Sequence, residues 1–262
     1  MYYNFRVVFT FLISFFLFSC GSDSVPVSPT RTGEGLATYS PVSFHLQTIE
    51  GSFEIRLAEV EAPNDEPARR RTRAALAALL EEAGANLELI ETGTGEDRYG
   101  RHVGHAEFDR EAGRVWIQGE LVSAGWLMAA GRADSRARIG RLLELEERAR
   151  AMRSGLWASG QLVVRDPDPN GLAQHLDSYQ IVRGRVIDTG AARNGRVYLN
   201  FGLDWRTDFT VSISPAHLER FQEAGLDPMA LAGHEVRVRG WLYRENGPMI
   251  ALDHPEAIEQ FD

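Results

Sequence analysis

A cluster of turn-forming residues past the middle of the chain most constrains how this sequence can fold. The stretch Arg165–Gly171 reads Arg-Asp-Pro-Asp-Pro-Asn-Gly, and these residue types interrupt helices and strands. The parts on either side have the length of ordinary domains. We therefore predict two globular units, at 44–159 and 176–262, and flexible linkers at 21–43 and 160–175.

Composition excludes several classes of protein. The 262 residues are 44% hydrophobic and 25% charged, as in an ordinary globular chain, which excludes collagen-like, largely disordered and multi-span membrane proteins. The net charge is −9, and every basic residue is arginine. Such an acidic balance disfavours broad attraction to polyanions. A single cysteine excludes a disulfide framework and a cysteine-rich zinc site.

Residues 1–20 have the pattern of a secretion signal. Arg6 precedes an apolar run, Val7–Phe18, which is too short to span a bilayer as a helix. The run ends at Ser19-Cys20-Gly21, which resembles the processing box of bacterial lipoproteins. We predict an exported protein of the cell envelope, facing the periplasm or the cell surface and held to a membrane by acyl chains on Cys20. The alternatives are an ordinary signal peptide with an incidental cysteine and a short uncleaved anchor.

The segment that follows the cysteine is rich in Ser, Pro, Gly and Thr, which predicts the first linker. In the first unit, alternation of apolar residues predicts strands and recurrence at three and four residues predicts helices. We predict strands within Phe44–Val60, at Leu87–Glu91 and at His102–Phe108, and helices at Arg69–Ala83, Ile117–Ala124 and Ile139–Met152.

Four motifs of the first unit resemble the staphylococcal-nuclease (thermonuclease) family. In the family's order they are Ile55–Pro63, Asp97–Arg101, Glu120–Trp126 and Gly155–Trp157. The resemblance implies a mainly β domain, a five-stranded OB-type barrel with three helices. It also implies calcium-dependent hydrolysis of phosphodiester bonds in DNA or RNA, and thus a nucleic-acid partner.

The resemblance assigns phosphate binding to Arg56 and Arg101, and metal binding to Glu61, where the family has Asp. Guanidinium groups match the geometry of phosphate oxygens, and carboxylates are calcium ligands. Other interpretations remain open. Arg56 could pair with a nearby acid, Arg101 could pack on Tyr99, and Glu61 could be a solvated acid at the end of a strand.

The catalytic residues depart from the family's pattern. Asn64 stands at the position of the catalytic glutamate, and an amide does not accept a proton from water near neutral pH. Ala62 replaces a ligand hydroxyl, and segment 37–49 contains no Asp or Glu. We therefore predict weak or absent catalysis and a doubtful calcium site. In the alternative, a working nuclease, Asp65 or Glu66 supplies the missing carboxylate.

The second unit is predicted to have three strands, a helix and two strands, which is the order of an OB barrel. Tyr198–Gly202 and Arg239–Leu242 are similar to OB-like tails of some bacterial thermonuclease-family proteins. Its aromatic residues offer a stacking platform for bases, but we expect them to pack in the core because few arginines flank them. These residues are Tyr198, Phe201, Trp205, Phe209 and Trp241.

Three functions follow from the sequence. The favoured one is a binding module derived from a nuclease, and the second is a working nuclease. The third is an envelope lipoprotein that binds a protein partner of unknown identity and has no role with nucleic acid.

Overall fold

The computed structural model describes residues 30–38 and 40–261. The predicted signal peptide, Cys20 and the start of the first predicted linker lie outside these residues. Within the described ranges, no helix has the length and apolar character needed to cross a membrane.

The first unit is mainly β, as predicted, with helices on its outside. Its strands are β1 (Thr30–Ala37), β2 (Ser43–Thr48), β3 (Gly51–Leu57), β4 (Val60–Glu61), β5 (Leu87–Glu96), β6 (His102–Arg110), β7 (Gly113–Trp116) and β8 (Met128–Ala129). Its helices are α1 (Glu66–Ala83), α2 (Ile117–Ser123) and α3 (Ile139–Ala151).

Five strands of this unit close into a barrel. The hydrogen-bonded order is β3-β2-β1-β5-β6, and a parallel pairing of β3 with β6 closes the ring. Side chains alternate along each strand, so Ile55 and Leu57 are buried while Arg56 between them is only half-buried. β4 pairs separately with β8. The barrel core thus fixes β3 so that Arg56 lies on its outer side.

The prediction of a flexible linker over 21–43 is wrong in its described part. β1 falls in this segment and pairs with β2 on one side and β5 on the other. Its glycines have a packing role. A Cβ at Gly33 would lie 2.2 Å from the carbonyl oxygen of Gln47, and a Cβ at Gly35 would lie 2.6 Å from Leu80 Cδ2. The residues that look like a linker in composition are required by close contacts in the barrel.

Helix α1 begins three residues before the predicted start at Arg69, because Asp65 caps it. The Asp65 carboxylate accepts a hydrogen bond of 2.9 Å from the backbone N–H of Ala68, as an N-cap residue does. The helix ends at Gly84, whose φ is 55°. The cap therefore fixes the chain directly after Asn64.

The second unit is also mainly β. Its strands are β9 (Val164–Arg165), β10 (Ser178–Arg185), β11 (Asp188–Ala191), β12 (Val197–Asn200), β13 (Thr210–Ile213), β14 (Glu235–Glu245), β15 (Gly247–Leu252) and β16 (Ile258–Phe261). Its helices are α4 (Pro169–Leu172) and α5 (Pro215–Glu223).

The sheet of this unit has the order β11-β12-β13-β15-β14-β10-β9, and β16 also pairs with β14. The predicted helix and the predicted strands before and after it are present. The predicted linker at 160–175 is more ordered than expected, because β9 pairs with β10 and Leu162 and Leu172 are buried. The turn formers take part in this order, since Asp168 caps α4.

The two units pack on each other through an apolar cluster and a buried ion-pair network. Met128 of the first unit and Tyr179 of the second belong to the same buried cluster. Glu146 of α3 accepts hydrogen bonds of 3.0 Å at both carboxylate oxygens from Arg239 of β14, and both side chains are 1% exposed. Glu259 bonds the other Nη of Arg239 at 2.7 Å. The two units therefore meet across a fully buried ion pair, Arg239–Glu146, and a partly exposed carboxylate, Glu259.

Candidate phosphate-binding site

The two predicted phosphate-binding arginines lie on neighbouring strands of the barrel. Arg56 of β3 is opposite Val103 of β6, and Arg101 immediately precedes β6. Burial lowers the pKa of Arg56 from its ordinary value, and the positive charges of Arg101 and Arg132 lower it further. Three cationic side chains are thus close enough to influence one another at one edge of the barrel.

Arg56 is held by groups of its own loop. Its Nη2 donates to Glu61 Oε2 at 2.9 Å and to the Val60 carbonyl at 2.8 Å, and its Nη1 donates to the Leu57 carbonyl. The Glu61 side chain is 16% exposed. The interpretation of Arg56 as the partner of a nearby acid is therefore correct, and that acid is the predicted metal ligand.

Arg101 closes the turn between β5 and β6. Asp97 Oδ2 accepts a hydrogen bond of 2.8 Å from Arg101 Nε and forms an ion pair with Arg101 Nη2 at 2.7 Å, and Oδ1 accepts from the backbone N–H groups of Tyr99 and Arg101. Burial acts to raise the pKa of Asp97, but the hydrogen bonds from Arg101 and Tyr99 outweigh it and the pKa is lowered. The Arg101 guanidinium lies 5.1 Å from the centre of the Tyr99 ring, as the packing interpretation expected.

The structure does not bring Asp65 or Glu66 into the role of a catalytic carboxylate. Asp65 caps α1 and also accepts a hydrogen bond of 2.7 Å from Gln161. Glu66 is exposed and pairs with arginines of its own helix, the shortest contact being 3.0 Å to Arg73. Both carboxylates are engaged at the helix, and Asn64 before them is exposed. The sequence-based alternative of a substitute base is not supported by this geometry.

The donor set beside Arg56 does not fit calcium. One Glu61 oxygen is bonded to Arg56 and the other accepts from the backbone N–H of Ala62 at 3.1 Å. Ala62 has no side-chain oxygen, and strand β2 contributes no carboxylate. Calcium takes six to eight oxygen ligands. Within residues 30–38 and 40–261, His, Cys, Asp and Glu form no group of three that could hold a metal ion.

Arg132 is a member of this cationic group that the sequence did not indicate. It follows β8, and the pairing of β8 with β4 places Met128 opposite Glu61. Arg132 is 67% exposed and its Nε lies 3.6 Å from Asp134. The short β4–β8 ladder has no sequence pattern of its own, so only the folded structure reveals that this loop lies near Arg56.

A closed five-stranded barrel with flanking helices and paired outer arginines is the framework of a nuclease-type OB-barrel domain. Residues 54–159 match the family model described as staphylococcal nuclease homologue. The chain therefore contains a domain of this family, which confirms the family and fold predicted for the first unit. The family is calcium-dependent. No curated protein matches the chain, and the OB-like assignment of the second unit stays a prediction.

Proposed function

We propose that the protein is an exported, lipid-anchored relative of the thermonucleases that binds nucleic acid through its first barrel with little or no cleavage. The family match over residues 54–159 supports nucleic-acid binding, and the ion pair between Arg56 and Glu61 supports the loss of cleavage. The carboxylate that would hold a metal instead neutralises an arginine that would hold phosphate. Arg56, Arg101 and Arg132 lie at the same edge, each beside a carboxylate that an incoming phosphate would displace.

Weak catalysis follows from the side chains present. A positioned general base contributes about 10²–10⁴-fold to the rate of such a reaction, and Asn64 has no basic group to offer. The carboxylates that follow it are engaged at α1. Nucleic-acid binding needs neither a general base nor a metal ion, because phosphate contacts require only cations and hydrogen-bond donors. Exchange of the Glu61 carboxylate for a phosphate oxygen would leave Arg56 with a similar partner.

The experiment compares binding with cleavage in the full chain. Labelled single-stranded DNA, double-stranded DNA and RNA are incubated with the protein in calcium and in chelator. We expect fluorescence polarisation to show binding that weakens steeply between about 50 and about 200 mM salt. We expect gels to show at most trace cleavage. Chelator-sensitive cleavage that Arg101→Ala abolishes would instead establish an active nuclease.

The pairing of both arginines with acids also favours the alternative of an envelope lipoprotein that binds a protein. That function is supported if the chain neither binds nor cleaves any of the three nucleic acids. The anchor is tested separately, because Cys20→Ala is expected to move the protein from the membrane fraction to the soluble fraction. Incorporation of a labelled fatty acid into the parent protein alone would identify the acylated residue.

A further inference from the structure

The outer face of the second sheet carries polar and aromatic side chains over a short distance. Along β12, Val197 and Leu199 are buried in the core while Tyr198 and Asn200 alternate with them. Asn200 pairs with Thr210 of β13, and paired residues share a face of the sheet. Alternation therefore sets these side chains on the side opposite the core.

A cavity of about 270 Å³ opens on this face. Six side chains define its walls and floor: Tyr198, Asn200, Trp205, Thr210, Glu245 and Met249. Thr210 and Met249 are buried at the floor, whereas Trp205, from the loop between β12 and β13, is 52% exposed. Small-ligand sites are concave and mainly apolar with a few placed polar groups, and this cavity has that composition.

The floor contains a polar atom without a partner. Thr210 is 4% exposed, and its Oγ1 makes no hydrogen bond in the described structure. The hydroxyl of Ser212, two residues along the same strand, also makes no hydrogen bond in the described structure. Buried polar groups are nearly always satisfied, and those that are not require an explanation. A bound molecule with hydroxyl groups would supply the missing partner.

The charges around the cavity disfavour an anionic ligand. Arg196 is paired with Glu245 at 2.8 Å and lies over the ring of Tyr198. None of the residues described as lining the cavity is basic, and the cation over the Trp205 ring, Arg206 at 4.6 Å, lies beside the cavity and is followed by Asp208. Segment 160–262 has 15 acidic residues against 10 arginines. A nucleic-acid strand needs cations along its backbone as well as stacking, so a neutral ligand fits better.

We propose that this cavity binds one ring of a neutral oligosaccharide. A sugar ring presents a C–H face that stacks on amphipathic aromatic rings, here the faces of Trp205 and Tyr198 opposite Arg206 and Arg196. Its hydroxyl groups both donate and accept hydrogen bonds, which suits the Thr210 hydroxyl and the Asn200 amide. The site is separate from the arginines of the first barrel and does not depend on the function proposed for them.

Calorimetry on the full chain, in a detergent without a sugar headgroup, tests this proposal. The probes are neutral oligomers of N-acetylglucosamine, glucose (β-1,4 and α-1,4) and xylose, with oligothymidylate as the charged comparison. We expect saturable binding of at least one neutral series. Trp205→Ala should weaken that binding by about tenfold or more, and Thr210→Val, which keeps the shape without the hydroxyl, by about fivefold.

Trp241→Ala is the matched control, because Trp241 is 56% exposed on the same unit but does not line the cavity. It should change affinity less than twofold. The proposal is overturned if no neutral series binds, if Trp241→Ala weakens binding as much as Trp205→Ala, or if Thr210→Val binds as the parent does. Binding of oligothymidylate that is lost in Trp205→Ala would overturn it in favour of a nucleic-acid site.

Discussion

Two arginines of this chain, one half-buried and one fully buried, lie in opposite electrostatic surroundings. Arg56, at the edge of the first barrel, has one carboxylate partner, Glu61, and two further cations nearby. Burial lowers its pKa most, Glu61 acts to raise it, and the charges of Arg101 and Arg132 lower it further. Although Asp97 and Asp134 pair with those two arginines, the protein stabilises the charged form of Arg56 less than water does.

Arg239, between the two units, is the reverse case. Burial acts to lower its pKa, but the charges of Glu146 and Glu259 and the hydrogen bond to Glu259 outweigh burial and the pKa is raised. Its partners fix it between α3, β14 and β16. Burial alone therefore does not assign a role to an arginine. An arginine whose charge is incompletely stabilised is suited to an external anion, whereas one held by two carboxylates is suited to a permanent contact.

The largest expected effect is a loss of stability when the contact between Arg239 and Glu146 is broken. Glu146→Gln removes the fully buried carboxylate that faces Arg239 and leaves Arg239 with Glu259 alone, which Arg237 shares. Breaking such a pair typically costs about 3–5 kcal/mol, and we expect a loss of that size in the free energy of unfolding, measured by denaturant titration. Glu144→Gln on the same helix is the control. Its side chain is 60% exposed, so a loss within about 0.5 kcal/mol is expected. Equal losses of stability in both variants would show that the Arg239–Glu146 pair contributes no more than a surface charge does.

The next effect is a loss of stability in acid. Burial acts to raise the pKa of Glu259, but hydrogen bonds and charges from Arg237 and Arg239 lower it to about 2. Because the folded state holds this carboxylate ionised, its contribution is complete above the pKa of about 4.3 in the unfolded chain. That contribution decreases as the pH falls towards 2. The difference in unfolding free energy between the parent and Glu259→Gln should shrink over this range, and a constant difference would contradict the assignment.

A smaller effect, a gain in affinity for nucleic acid, is expected at the edge of the first barrel. Glu61→Gln removes the carboxylate that pairs with Arg56 and so leaves this arginine without an anionic partner. Oligonucleotide binding at low salt should tighten by about fivefold, which corresponds to about 1 kcal/mol. Polarisation titrations with Glu54→Gln, on an exposed position of the same strand, provide the control. Weaker binding in Glu61→Gln alone would indicate that the carboxylate serves the ligand rather than competing with it.

The smallest change is expected from restoring the family's glutamate. Asn64→Glu should leave cleavage in calcium within about twofold of the parent, because the neighbouring donors do not fit the metal and base and metal act together. A gain of about 10² or more, the size of a general-base contribution, would show that a working metal site exists beside Arg56.

Much of the first barrel is predictable from sequence because its strands alternate and its helices have caps and stops. Strand β1 is not predictable from sequence, since its glycines suggest a linker. Its place in the barrel depends on close contacts with Gln47 and Leu80. The start of α1 depends on the cap of Asp65. In the site, the motifs identify Arg56 and Arg101, but their pairing with Glu61 and Asp97 requires coordinates.

The aromatic residues of the second unit show a further limit. All five were expected in the core, and Phe201 and Phe209 are there. Tyr198, Trp205 and Trp241 are not, since the latter two are more than half exposed and Tyr198 is half-buried. Composition suggests burial for such side chains, whereas strand register decides it.

Because β1 pairs in the barrel, only a short segment can link the folded protein to an anchor at Cys20. Nine residues, 21–29, separate Cys20 from Thr30. Even a fully extended chain of that length reaches only about 30 Å. A protein acylated at Cys20 would hold its first barrel within roughly one domain diameter of the lipid headgroups, so that long polymers would be met at the membrane surface and not far out in solution.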